Sequence, residues 1–203
     1  MARIFLLSPA HSGGVRAQLL LREQAAFPLA ERLRGDEGVQ LGEAFQFTSG
    51  LYFRGKWRYA RTFAAPPAGV PGVLVIAPSW GLARPERPVR RDDLLALARV
   101  PVDLADERYR APLERDAAAL AAALGERDEV VLLGSIATAK YVDLLLAIFG
   151  ERLLFPTAFV GRGDLSRGGL LLRAAREGAE LDYLPVQGAR RRGARPPRLP
   201  RLR

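Results

Sequence analysis

The chain of 203 residues has no cysteine, so it holds neither a disulfide framework nor a thiolate zinc site. It has a single histidine, His11, which rules out a histidine-rich metal centre. It has no long apolar run: nothing approaches the 18 residues of a membrane span. The start is also too short in apolar residues for a signal segment, since only Ile4 to Leu7 follow Arg3 without interruption. A soluble, cytoplasmic protein is expected. No GxGxxG and no P-loop pattern occurs, so the sequence supplies no motif for a dinucleotide or other cofactor.

Lysine is scarce too. Lys56 and Lys140 stand against 29 arginines. Where arginine is the default base, a lysine draws interest, because an ammonium adapts its pKa and reach differently from a guanidinium. The net charge is +9, yet the stretch "ARRRGARPPRLPRLR" from Ala189 onward carries seven arginines and no acid. The rest of the chain is therefore near neutral, at +2. A Pro/Arg tail buries too little apolar surface to fold alone, so residues 189–203 are expected to be disordered. Arg190, Arg191, Arg192, Arg195 and Arg198 are candidates for contact with nucleic acid. Apolar residues make up 49% of the chain, enough for one sizeable domain over 1–188.

The pattern alternates. Ala2 to Leu7, Val73 to Ala77, Glu129 to Leu133, "RLLFP" and "ELDYLPV" read as strands. Helices are expected from Val15, over "LYFRGKWRYARTFAA", near Asp92 to Ala98, over Ala111 to Leu124, over "SIATAKYVDLLLAIFG" to Gly150, and up to Gly178. Gly55 weakens the second of these. "VQLGEAFQFTSG" reads as a short strand, and "PSWGLARPERPV" and "VPVDLADERYRAP" as irregular. The two best strands, Val73 to Ala77 and Glu129 to Leu133, suggest one βαβ unit. The fold class is α/β, a mainly parallel sheet flanked by helices, with ligands expected beyond the carboxyl ends of the strands.

Three strand ends share a character: "LLSPAHSGG", "VIAPSWGL" and "LLGSIATAK". On parallel strands, Ser8, His11, Ser12, Gly13, Gly14, Ser79, Trp80, Gly81, Gly134, Ser135, Thr138 and Lys140 converge on one edge. In the third loop Gly134 permits a sharp turn and Ser135 can cap the next helix. Amides at a helix start favour anions, and Lys140 lies one turn in. The alternative is an ordinary helix cap beside a surface lysine. His11 is a candidate acid/base; a lone loop histidine is more often simply surface. "SGLYFRGKWRYA" interleaves aromatics with Arg54, Lys56, Arg58 and Arg61, a mixture that suits bases and phosphates, or equally a helix with an aromatic core face. In "GRGDLSRGG", Asp164 can be a cap or a carboxylate base, and Arg162 and Arg167 can grip an anion.

Two stretches, "TSGLYFRGKWRYAR" and "VLVIAPSWGLARPERPV", resemble a bacterial family with a glycosylase-like α/β domain. That family is distantly similar to the uracil-DNA-glycosylase-like domain of archaeosine synthase. The resemblance covers roughly residues 45–95, about a quarter of the chain. It implies a nucleobase- or nucleoside-related ligand and carries over Ser49, Phe53, Arg54, Ser79 and Gly81 as site-lining positions. The family has a Cys or Ser near the end of its first strand. Ser8 or Ser12 stands there, while the His-Ser-Gly-Gly loop departs from the pattern.

The function expected is binding of a nucleotide- or nucleobase-like anion at the carboxyl edge, with cleavage or transfer at an N-glycosidic bond as its chemistry. Asp164 or His11 would be acid/base, Lys140 and Arg54 would hold phosphate, and Trp80 or Phe53 would stack. The alternatives are a non-enzymatic nucleic-acid module that uses the basic tail, and a subunit whose tail docks on an acidic partner.

Overall fold

Mainly apolar runs of four or five residues, too short for buried helices and rich in branched residues, form the centre of the sheet. In a computed structural model that describes residues 1–10, 13–197 and 199, these runs are β1 (Arg3–Leu7), β3 (Val73–Ala77), β6 (Glu129–Leu133) and β7 (Leu153–Pro156). They lie side by side and parallel, in the order β3-β1-β6-β7. Two antiparallel strands close the edges, β4 (Gly81–Ala83) beside β3 and β8 (Tyr183–Pro185) beside β7. The α/β reading holds, as one domain with a mainly parallel, mixed six-stranded sheet. A separate ribbon pairs β2 (Val39–Gln40) with β5 (Pro88–Val89).

Both faces of the sheet are covered, which is why its central strands are apolar without alternation. Phe5, Leu7, Val75 and Leu133 face one layer, made by α1 (Val15–Leu21), α2 (Pro28–Arg34), α3 (Leu41–Ser49), α4 (Leu51–Phe63), α5 (Arg91–Ala98) and α8 (Asp164–Glu177). Ile4, Leu6, Ile76 and Leu132 face the other, made by α6 (Glu107–Ala123) and α7 (Ala139–Phe149).

Several expectations need correction. "VQLGEAFQFTSG" is not a strand beyond Gln40; Leu41, Ala44 and Phe45 fall at helical spacing, and all three are buried in α3. "PSWGLARPERPV" holds β4 and β5, because Ser79, at φ +65°, turns the chain back on β3. α6 starts at Glu107, not Ala111. The Asp106 carboxylate caps it by accepting from the Arg108 N–H at 3.0 Å, and Pro112 sits inside the helix. Burial of Tyr109 and Leu113 on one face offsets the hydrogen bond that Pro112 cannot make. The strands β3 and β6 do not pair as one βαβ unit; β1 lies between them.

That order creates a switch point. From β1 the chain winds through α1–α4 on one face to β3. From β6 it winds through α7 on the opposite face to β7. The connections diverge between β1 and β6, and in open parallel sheets the crevice outside such strand ends is where ligands bind.

No helix among the described residues is long and apolar enough to cross a membrane. Residues 189–197 have no regular secondary structure. Ala189 packs at the margin of the α6–α7 core, and Arg191 pairs with Asp143 of α7 at 3.0 Å.

Candidate functional site at the switch point

β1 ends at Leu7 and hands its ladder on to Ser8, whose N–H donates to the Leu133 carbonyl at 3.2 Å. The neighbouring strand β6 is followed by Gly134. A Cβ there would lie 2.9 Å from the Ser8 Cβ and 2.8 Å from the Tyr141 hydroxyl. Glycine is thus needed for close approach of the two strand ends. The Tyr141 hydroxyl donates to the Ser135 carbonyl at 3.0 Å, and burial pushes its pKa up.

The side chain that reaches this point from below is Lys56. It is fully buried, and its ammonium donates to the Ser8 carbonyl at 2.7 Å and the Ser8 Oγ at 2.9 Å. The rings of Tyr52 and Phe53 lie 4.6 and 5.1 Å from Nζ. Two π faces and two neutral oxygens compensate a buried ammonium only in part. Among the described residues it has no carboxylate partner within ion-pair distance. Burial therefore brings its pKa down to about 7; Asp164 pulls it up and Arg167 pulls it down.

Lys56 meets the first turn of α8 because α4 and α8 touch backbone to backbone. A Cβ on Gly55 would lie 2.7 Å from the Gly168 carbonyl oxygen, and one on Gly168 would lie 2.7 Å from the Leu51 carbonyl oxygen. Gly55, which weakened the helix in the sequence, is what lets the helix pack. Arg167 is buried beside it, with Nε and Nη2 donating to the Phe159 carbonyl at 3.2 and 3.1 Å. Its Nη1 lies 3.5 Å from the Asp164 carboxylate, which is largely exposed. The buried Tyr52 hydroxyl has no hydrogen-bond partner of full geometry, although the Arg167 charge acts on it; burial pushes its pKa up.

The sequence candidates divide accordingly. Ser8, Gly134, Ser135, Asp164 and Arg167 belong to this cluster. Lys140 does not: its side chain is exposed, with no hydrogen bond or ion pair to any described residue. Ser135 does not cap α7. Its Oγ accepts from the Ala137 N–H at 3.3 Å, and the helix begins only after the exposed Thr138. Phe53 is fully buried against Phe45 and offers no open ring face. Trp80 lies under the Arg87 guanidinium at 3.9 Å, within the β3–β4 hairpin that Ser79 and Gly81 form. Arg162 is engaged by the Ala158 carbonyl, the Ser166 hydroxyl and the Pro197 carbonyl. Ser49 and Arg54 line an open groove on the far side of α4. Gly14 precedes α1 in an extended conformation, with Gly13 exposed before it. His11, Ser12 and Arg198 lie outside the described residues. Among those described, no group of three or more His, Cys, Asp or Glu side chains gathers for a metal ion.

Sequence reasoning singled out Lys56 as one of two lysines but did not seat it at the site, and it missed Tyr52 and Tyr141. The available signal was a pair of glycines, Gly55 and Gly168, inside two amphipathic segments. Comparison of the chain with known protein families, with curated proteins and with solved structures gives no match.

Proposed function

We propose that this protein binds a nucleotide- or nucleobase-like anion at the carboxyl edge of the sheet, beyond the ends of β1 and β6. One observation supports the reading above the others. Two cations, Lys56 and Arg167, are buried there, and the carboxylate acting on them, Asp164, is mostly exposed. Buried charge whose only counter-charge is one exposed carboxylate is poorly compensated, and an anion beside the two cations relieves it. The Tyr52 hydroxyl, which lacks a hydrogen-bond partner of full geometry, offers such a ligand a further hydrogen bond. The reading extends to cleavage or transfer at an N-glycosidic bond. For that step the Lys56 amine, titrating near neutrality, and the Asp164 carboxylate are the acid–base pair.

An anion beside Lys56 favours the ammonium, so above pH 7 binding takes up a proton. The test is calorimetric titration at pH 8 with a nucleoside monophosphate and with inorganic phosphate. Two buffers of different ionisation enthalpy count the protons. Wild type is expected to take up as much as one proton per ligand. Lys56→Met is expected to abolish that uptake and weaken binding about tenfold or more, the range for a hydrogen bond to a charged group. Absence of binding by wild type, or equal affinity and proton count in the variant, overturns the reading.

A further inference from the structure

α4 has a second face. Arg54, Arg58 and Arg61 recur at i, i+4 and i+7, so they form one exposed row on the side turned away from Lys56. Arg176 of α8 faces them. Together with Gln46, Trp57, Thr62 and Leu172 these four arginines line a groove of about 820 Å³ between the two helices. No Asp or Glu lines it. A second hollow of about 710 Å³ continues past Gln46 and Arg54 and adds Arg16. Its one acid, Glu43, is already held by both terminal nitrogens of Arg32, at 2.7 and 2.9 Å.

Elsewhere on this surface several arginines find carboxylates. Arg3, Arg32, Arg91, Arg108, Arg110, Arg115 and Arg191 all do so. Arg54, Arg58, Arg61 and Arg176 pair with no carboxylate among the described residues. Like charges concentrated in a groove repel one another and raise the local concentration of anions. The row on α4 runs about 10 Å, at 1.5 Å per residue. That is longer than a single phosphate needs and suits successive charges along a chain. Guanidinium forks match phosphate oxygens in pairs.

We infer that this groove is the track for the phosphate backbone of a nucleic acid strand, held by Arg54, Arg58, Arg61 and Arg176. The inference does not rest on the crevice reading, since different side chains on the opposite face of α4 carry it. The basic tail is a competing source of affinity, so the experiment separates the two within the full-length chain.

Fluorescence anisotropy with labelled 20-mer oligonucleotides, single-stranded and duplex, is measured across a salt series. The proteins are wild type, the groove variant R58A/R61A/R176A, its charge-preserving counterpart R58K/R61K/R176K, and the tail variant R190A/R191A/R192A. The groove variant is expected to lose at least tenfold in affinity. Its log–log salt slope for a single strand should fall by about 2, near 0.7 for each lost phosphate contact. The lysine variant keeps the slope, because a point charge still releases counterions. A lack of oligonucleotide binding at low salt overturns the proposal. So does a groove variant that binds as wild type while the tail variant loses affinity. Displacement of the oligonucleotide by an acidic peptide of equal charge, at equal concentration, also overturns it, in favour of an acidic protein partner.

Discussion

A lysine amine that is buried without a carboxylate leaves a signature in stability. In the unfolded chain Lys56 titrates near its ordinary value of 10.5; in the folded chain it titrates at about 7. Below pH 7 it is charged in both states, and the folded protein carries the whole burial penalty. As pH rises from 7 toward 10.5 the folded state has released its proton and the unfolded state has not, so stability rises with pH across that window. The gain is of the order of a few kcal/mol. The raised tyrosines act above it. Tyr59, for example, is pushed up to about 12 by burial, so its contribution is lost only as pH climbs beyond 10. Urea unfolding at pH 6, 7, 8 and 9 should show the rise in wild type and a flat profile in Lys56→Met. The slope is the readout, because Met also strands the Ser8 carbonyl and changes the absolute value. Identical slopes in the two proteins would mean that the amine is solvated in the folded state.

At the scale of elements, the decisive contact is the crossing of α4 and α8, and adjacent glycines there should respond in opposite directions. Gly168→Ala drives a methyl to 2.7 Å from the Leu51 carbonyl oxygen and 2.8 Å from the Tyr52 Cα, both backbone atoms that cannot swing away. Overpacking of this kind destabilises by about 1–3 kcal/mol. Gly169→Ala meets nothing nearer than the Leu199 Cδ1 at 3.8 Å, in the interior of the same helix. There alanine should stabilise by up to about 1 kcal/mol through helix propensity. Thermal melts of the two variants therefore move to opposite sides of wild type, and a shift of the same sign for both would refute the backbone contact. This crossing also marks the limit of what the sequence made legible. The runs Val73–Ala77 and Glu129–Leu133 announce strands by themselves, and Gly178 stops α8 as its position suggests. Helix α3 was missed because Gly42 and Thr48 dilute its apolar face, whose burial comes from packing on distant Trp57 and Phe53. The site was only half legible for the same reason. Ser8, Ser135, Asp164 and Arg167 are readable from loop character, but the choice of Lys56 over Lys140 depends on which helix passes under β1. That is set by long-range contact rather than by spacing within "GSIATAK".

Over the whole molecule, charge and stability reside in different parts of the chain. Removal of residues 190–203 takes seven arginines from a net charge of +9 and leaves +2. Little of the fold goes with them. Among the described residues this stretch is held by the exposed Arg191–Asp143 pair, by the bond from Arg162 to the Pro197 carbonyl at 3.3 Å, and by close passage of Gly193 and Ala194 over Val160 and Gly161. An exposed ion pair contributes about 0–1 kcal/mol and a hydrogen bond of this kind about 0.5–1.5. For a chain of this length 1 kcal/mol corresponds to about 2–4 °C in melting temperature. Val186 and Ala189, which do reach the α6–α7 core, are retained. Scanning calorimetry of the truncated protein should thus show one cooperative transition lowered by only a few degrees, while its retention on a cation exchanger drops sharply. A fall of more than about 10 °C, or loss of the single transition, would show that the tail is a structural part of the domain. The near-neutral remainder keeps its basic groove on α4 and α8, and oligonucleotide binding by the truncated protein reports binding without the tail.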